Sequence, residues 1–172
     1  MKKILIFILA LTIFLTVSGC TKKEKPFLSY QDKNFEARGT LDIKGEKYSV
    51  QLTKNDANYI LEFLAPDTIK GVRIEKNSDG IFYKFGSLCF PVSEQTNVSA
   101  LLPSFFALTQ QDLSSTESDT INGTKVQVAT FRKDQTEIKI IISKQTELPL
   151  RFEADFNGTN IVFNISEFKI NM

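Results

Sequence analysis

This chain of 172 residues contains no histidine. That removes the commonest general base and the commonest metal ligand together, and with them Ser-His-Asp and Cys-His catalysis and the usual Cys/His zinc sites. Cysteine is nearly as scarce, Cys20 and Cys89 being the two examples. Neither sign of charge dominates, since 21 basic residues face 20 acidic ones. Nothing therefore supports nucleic-acid binding through phosphate neutralisation. No Gly-rich phosphate loop, internal repeat or carboxylate pair in a recognisable motif occurs either.

The most informative stretch is the first twenty residues, MKKILIFILALTIFLTVSGC. Lys2 and Lys3 supply a short positive region, Ile4 to Val17 an apolar run broken only by Thr12 and Thr16, and Ser18 and Gly19 a small-residue exit. That order reads as a bacterial export signal. The run falls short of the roughly 20 apolar residues that a membrane span needs. Val17-Ser18-Gly19-Cys20 resembles the lipobox of bacterial lipoproteins, with valine where leucine is commonest. The resemblance implies cleavage between Gly19 and Cys20 and a diacylglyceryl group on the Cys20 thiol. The thiolate is the good nucleophile here, and small neighbours let a processing enzyme reach the backbone. Two acyl chains, at about 0.8 kcal/mol for each buried methylene, hold a protein stably to a bilayer.

Residues 1–19 are thus expected to be a signal peptide, 20–26 (CTKKEKP) a lipidated tether, and 27–172 one domain. Lys2 and Lys3 leave with the signal, so 19 of the 21 basic residues remain against 20 acidic ones, a net charge of −1. With Cys20 acylated, Cys89 has no partner in the chain and reads as a small buried hydrophobe. The domain must then hold together through its core, for which 15 phenylalanines are available.

That domain alternates with a period of two. Strands are expected over Phe35–Ile43, Tyr48–Thr53, Asn58–Leu64, Ile69–Lys76, Ile81–Phe85 and Leu88–Phe90, and again over Val126–Phe131, Ile138–Ile142, Leu150–Phe156 and Ile161–Ile170, with a slip near Ser166. Turn signals separate them, of which Asp79-Gly80, Asn122-Gly123 and Asn157-Gly158 are the plainest. Asn97 to Gln111 is the one convincing helix, with Leu102, Phe105 and Phe106 on its apolar face, and Asp112 to Thr120 reads as a polar link. The expected fold class is mainly β: a strongly curved antiparallel sheet of about ten strands, a half-open barrel, with one covering helix.

The motif order resembles that of the LolA/LolB-like superfamily of periplasmic carriers and lipoproteins, which takes in the mycobacterial LppX/LprG group. The residues that carry it are Phe35-Glu36-Ala37-Arg38-Gly39, Ala65-Pro66-Asp67-Thr68-Ile69-Lys70-Gly71, Asp79-Gly80 leading to Phe85-Gly86, Leu148-Pro149-Leu150-Arg151-Phe152-Glu153, and the Asp155-Phe156-Asn157-Gly158 hairpin. The resemblance implies an incompletely closed sheet whose cavity takes acyl chains or lipoproteins. On this reading Phe35, Leu41, Phe63, Tyr83, Phe152 and Phe163 line the concave face and Phe105 and Phe106 cover it. The opposing reading is that these aromatics simply fill a dense core, leaving a structural or interaction lipoprotein that meets an envelope protein through an outer face or edge. An enzyme is the weakest of the three readings, because Glu62, Glu75, Glu153 and Asp155 fall at solvent-facing strand positions. No cofactor or metal is implied. The membrane would be met through acylated Cys20, on the extracytoplasmic side of the cell membrane, or at an outer membrane where the cell has one.

Overall fold

The computed structural model of the chain describes residues 28–92, 108–133, 136–156 and 158–171. Among these, eleven strands form one antiparallel sheet: β1 (Asn34–Ile43), β2 (Glu46–Asn55), β3 (Asn58–Ala65), β4 (Arg73–Asn77), β5 (Gly80–Phe85), β6 (Leu88–Val92), β7 (Leu113–Ile121), β8 (Thr124–Lys133), β9 (Thr136–Ser143), β10 (Pro149–Phe156) and β11 (Thr159–Asn171). Their spatial order is β6-β5-β4-β3-β2-β1-β11-β10-β9-β8-β7. Two meanders are therefore joined at the middle by the pairing of the first strand with the last, and the sheet is left unclosed with β6 and β7 as its edges. The chain leaves the sheet at one edge, after Val92, and returns to it at the other.

Period-two patterning explains the local structure. In β1, Phe35, Ala37 and Leu41 point inward and are buried, while Glu36, Arg38 and Thr40 point out. A continuous inward row crosses the centre from Tyr48 through Leu41, Phe163, Phe152 and Ile140 to Ala129. A flat sheet would leave such a row half wet. Here Phe35, Phe131, Phe152 and Phe163 are fully buried because the sheet curls around its own inner face and the segment before β1 packs inside the curl, carrying Leu28 and Tyr30 into the core.

The slip expected near Ser166 is present as a bulge on β11: Arg38 pairs with Glu167, but the next residue, Gly39, pairs with Ile165. The Ser166 hydroxyl donates to the Arg38 carbonyl at 3.1 Å. Bulges bend a strand and sharpen its twist, so this one helps the central pair curl.

Four expectations are corrected. The polar link over 112–120 is mostly strand β7, giving eleven strands rather than ten. Ser114 to Thr120 are exposed on both faces, and ladder hydrogen bonds to β8 hold them without a buried face. The strand expected from Ile69 begins only at Arg73, because residues 68–71 turn: the Ile69 N–H donates to the Pro66 carbonyl, and Gly71 takes φ +84. Residues 97–107 of the expected helix lie outside the described residues, and those that follow do not continue a helix. Thr109 is extended at φ −118 and ψ 166, and Gln110–Asp112 form a short 3-10 turn. The Asp112 carboxylate accepts from the Thr109 N–H and hydroxyl, at 2.7 and 2.8 Å, and those two bonds hold it below its ordinary pKa. Finally, Cys89 is exposed and not buried, since it points outward from edge strand β6 opposite Lys84.

Candidate apolar-ligand site

The inner face is covered unequally. Toward the β6 edge, one row runs from Leu52 through Leu61, Ile74 and Tyr83 to Phe90, and beside it Phe85 faces Leu88. Leu52 and Leu61 are fully buried and Ile74 nearly so, whereas Phe85, Leu88 and Phe90 are 55%, 54% and 56% exposed. These three side chains share the inward face with Ile81, which is buried, so the apolar stripe continues past the point where its cover stops. The β5–β6 turn, with Gly86 at φ +57, fixes the register that brings them together. Exposed apolar side chains grouped on one concave ledge are the usual mark of a binding surface.

The deep part of the face is solid. Tyr30 makes edge-on ring contacts with Phe35, Phe152 and Phe168 at 6.2, 6.4 and 5.9 Å. Phe35 stacks on Phe168 at 4.9 Å, and Phe152 on Phe163 at 6.4 Å. Burial raises the Tyr30 pKa, an effect that the neighbouring Gln31 side chain only partly offsets, so the phenol stays protonated.

Of the lining residues expected from the sequence, Phe35, Leu41, Phe152 and Phe163 sit in this packed interior. Phe63, which meets the Tyr48 ring edge-on at 5.7 Å, and Tyr83 are half-buried between the interior and the open ledge. Phe105, Phe106, Gly19 and Cys20 lie outside the described residues. Sequence reasoning missed Phe85, Leu88 and Phe90. Their spacing around Gly86-Ser87 held the signal, because pairing across that turn puts all three on the Tyr83 face.

The outer face is where most of the charge lies, largely in neighbouring pairs: Arg38–Glu36 at 3.1 Å, Lys84–Glu75 at 2.6 Å, Arg151–Glu153 at 2.8 Å and Lys169–Glu167 at 2.7 Å. The Glu75 carboxylate raises the Lys84 pKa and the Lys169 ammonium lowers that of Glu167. Exposed pairs of this kind add little stability. A shallow hollow of about 280 Å³ also lies there, lined by Val126, Ile141, Leu150 and Ile165 with Arg151 at its wall. Among the described residues no three carboxylate or cysteine groups converge as a metal site would require.

These features define a class: an open, single-sheet antiparallel half-barrel with an apolar inner face and one uncovered ledge. No family model matches the chain, and no curated protein matches its sequence. An uncharacterised conserved protein from Thermus thermophilus shares the fold, with a TM-score of 0.53 at 16% identity over 83% of this chain and 82% of its own. A LolA superfamily protein from Nitrosomonas europaea aligns over 85% of this chain and 92% of its own, at 11% identity and a TM-score of 0.46. LprF from Mycobacterium bovis aligns over 84% and 90%, at 10% identity and a TM-score of 0.46. The first carries the fold likeness.

Proposed function

We propose that this chain is an exported, non-catalytic lipoprotein, held by an acylated Cys20 to the extracytoplasmic face of a membrane, that takes an apolar ligand on the inner face of its curved sheet. The ligand class is an acyl chain, a lipid or the acylated end of another lipoprotein. The observation that carries this reading is the ledge of Phe85, Leu88 and Phe90, each more than half exposed on a face whose central rows are buried. Phe63 and Tyr83 would form its inner margin, and Phe105 and Phe106 its cover.

Delipidated protein is expected to take up a fluorescent fatty acid. Leu88→Ser and Phe90→Ser should each weaken uptake about tenfold, since a fully buried Leu or Phe contributes roughly 1.5–3 kcal/mol. Both residues are already exposed in the free protein, so the melting temperature should hardly move. Absence of uptake by the unaltered protein would overturn the carrier reading. It would leave a structural or interaction lipoprotein of the envelope, which the packing of Tyr30 against Phe35, Phe152 and Phe168 favours.

The anchor is checked separately, by intact mass. Protein from native membranes should begin at Cys20 and carry the added mass of a diacylglyceryl thioether, and Cys20→Ser should lack it. Masses that differ only by the one-residue change would remove the anchor.

A further inference from the structure

We propose that Lys54, with Lys76 two strands away in the same inward row, recognises the anionic head group of an acyl ligand whose chain lies along the apolar ledge. This rests on the carrier reading and adds a substrate class to it. Lys54 is on the inward face of β2, in register with Val50 and Leu52, and is only 7% exposed. One strand over, its ammonium stands 5.9 Å from the centre of the Tyr59 ring. The same inward row runs from Phe35 through Lys54, Tyr59, Lys76 and Ile81 to Val92. Two lysines therefore share one row of the concave face.

Among the described residues, neither of them has a counter-ion. Six outer-face cations, Arg38, Lys84, Arg132, Lys139, Arg151 and Lys169, pair with carboxylates, while Lys47 and Arg73 there remain in water without an ion pair; Lys54 and Lys76 make no ion pair or hydrogen bond among the described residues, and Lys54 does so while buried. The carboxylates at this end, Asp56 and Asp79, occupy the β2–β3 and β4–β5 turns and pair with neither lysine. A lysine on an apolar face ordinarily extends its stem toward water, and a ring beneath the ammonium compensates part of its lost hydration. Two unpaired ammoniums on the inner face of a binding sheet leave a positive site that an incoming anion would complete.

The placement suits an amphiphile. Phe90 is two residues along β6 from Val92 at the end of the lysine row, and Leu88 is four. Along the strands, at 3.3–3.4 Å per residue, the apolar ledge is offset about 7 to 13 Å from that row; across them, at about 4.8 Å per strand, Val92 lies about 10 Å from Lys76 and about 19 Å from Lys54. A carboxylate or phosphate at Lys54 and Lys76 would thus send its acyl chain across Phe90 toward Leu88 and Phe85.

Displacement of the uncharged dye Nile red from delipidated protein tests this with three ligands: palmitate, palmitoyl lysophosphatidate and neutral monopalmitin. An anionic head group should lower the displacing concentration about tenfold relative to monopalmitin. Preference for palmitate identifies a free fatty acid as the source, and preference for lysophosphatidate a phospholipid. Lys54→Met should abolish the advantage and leave monopalmitin unchanged, while Lys54→Arg should retain it. Should Lys54→Met fail to fold, Lys76→Gln at its less buried position is expected to reduce the same advantage. Equal displacement by charged and neutral ligands, or an advantage that survives in Lys54→Met or, where that variant does not fold, in Lys76→Gln, would overturn the assignment while the carrier reading stands. Failure of all three ligands to displace the dye would overturn both.

Discussion

Replacing Gly39 with alanine is expected to destabilise the protein by about 3 kcal/mol or more, a large share of what a domain of this size has to lose. A Cβ at this position would sit 1.9 Å from the Asn164 carbonyl oxygen and 3.0 Å from the Ile165 Cα. Both obstacles are backbone of the bulged strand β11, so no side chain can swing away to relieve them. An alanine does reduce the entropy of the unfolded chain, but that gain is about 0.4–1 kcal/mol and loses to a main-chain clash. Gly39 is needed for close approach of the two central strands at the bulge. Urea unfolding checks the claim through the midpoint, with the slope unchanged. A loss below about 1 kcal/mol would mean that β11 moves aside easily, which its long pairing with β1 argues against.

Phe152→Ala is expected to cost about 3–5 kcal/mol, because the fully buried ring leaves a cavity between Phe163 and Tyr30 that a dense interior closes only in part. Tyr30→Phe, made in the same cluster, should be neutral or stabilising. Its hydroxyl is buried without a partner in good geometry, and an unsatisfied buried hydroxyl costs about 1–3 kcal/mol. The pair also separates in alkali. The folded-state pKa of Tyr30 is raised above its ordinary 10.0, so the group contributes stability that is present below pH 10 and is lost as pH rises beyond it. Unaltered protein should therefore weaken faster above pH 10 than Tyr30→Phe. Melting curves across that range decide it, and parallel losses in both proteins would mean that the Tyr30 phenol reaches water.

Particular residues show how much was legible. Alternation in Phe35 to Ile43 and in Phe152 to Phe156 placed those strands and their inward sides correctly, because burying one face of a pleated strand writes itself into every second residue; Leu150, expected inward, falls at a bulge and lines the outer hollow while Pro149 is buried. Thr116 to Thr120 carry no such record. Both sides of β7 face solvent, so only pairing with β8 makes it a strand. Cys89 was misread for a related reason: an isolated small hydrophobe next to two large ones gave no hint that the strand would be an edge. Lys54 lies one residue past the expected strand Tyr48–Thr53, and only the longer β2, in register with Val50 and Leu52, turns it inward.

The sequence by itself determined the strand periodicity and most of the turns, and it carries the lipobox-like pattern on which the proposed anchor rests, since each is written in residues within a few positions of one another. Tertiary structure alone decided that β1 pairs with β11, a contact spanning 128 positions between Arg38 and Ser166. That pairing makes β6 and β7 the edges, packs Tyr30 into the deep half and leaves Phe85, Leu88 and Phe90 uncovered. Alternation states which way a side chain points; how much covers it depends on what distant chain is folded over it, and no local pattern records that.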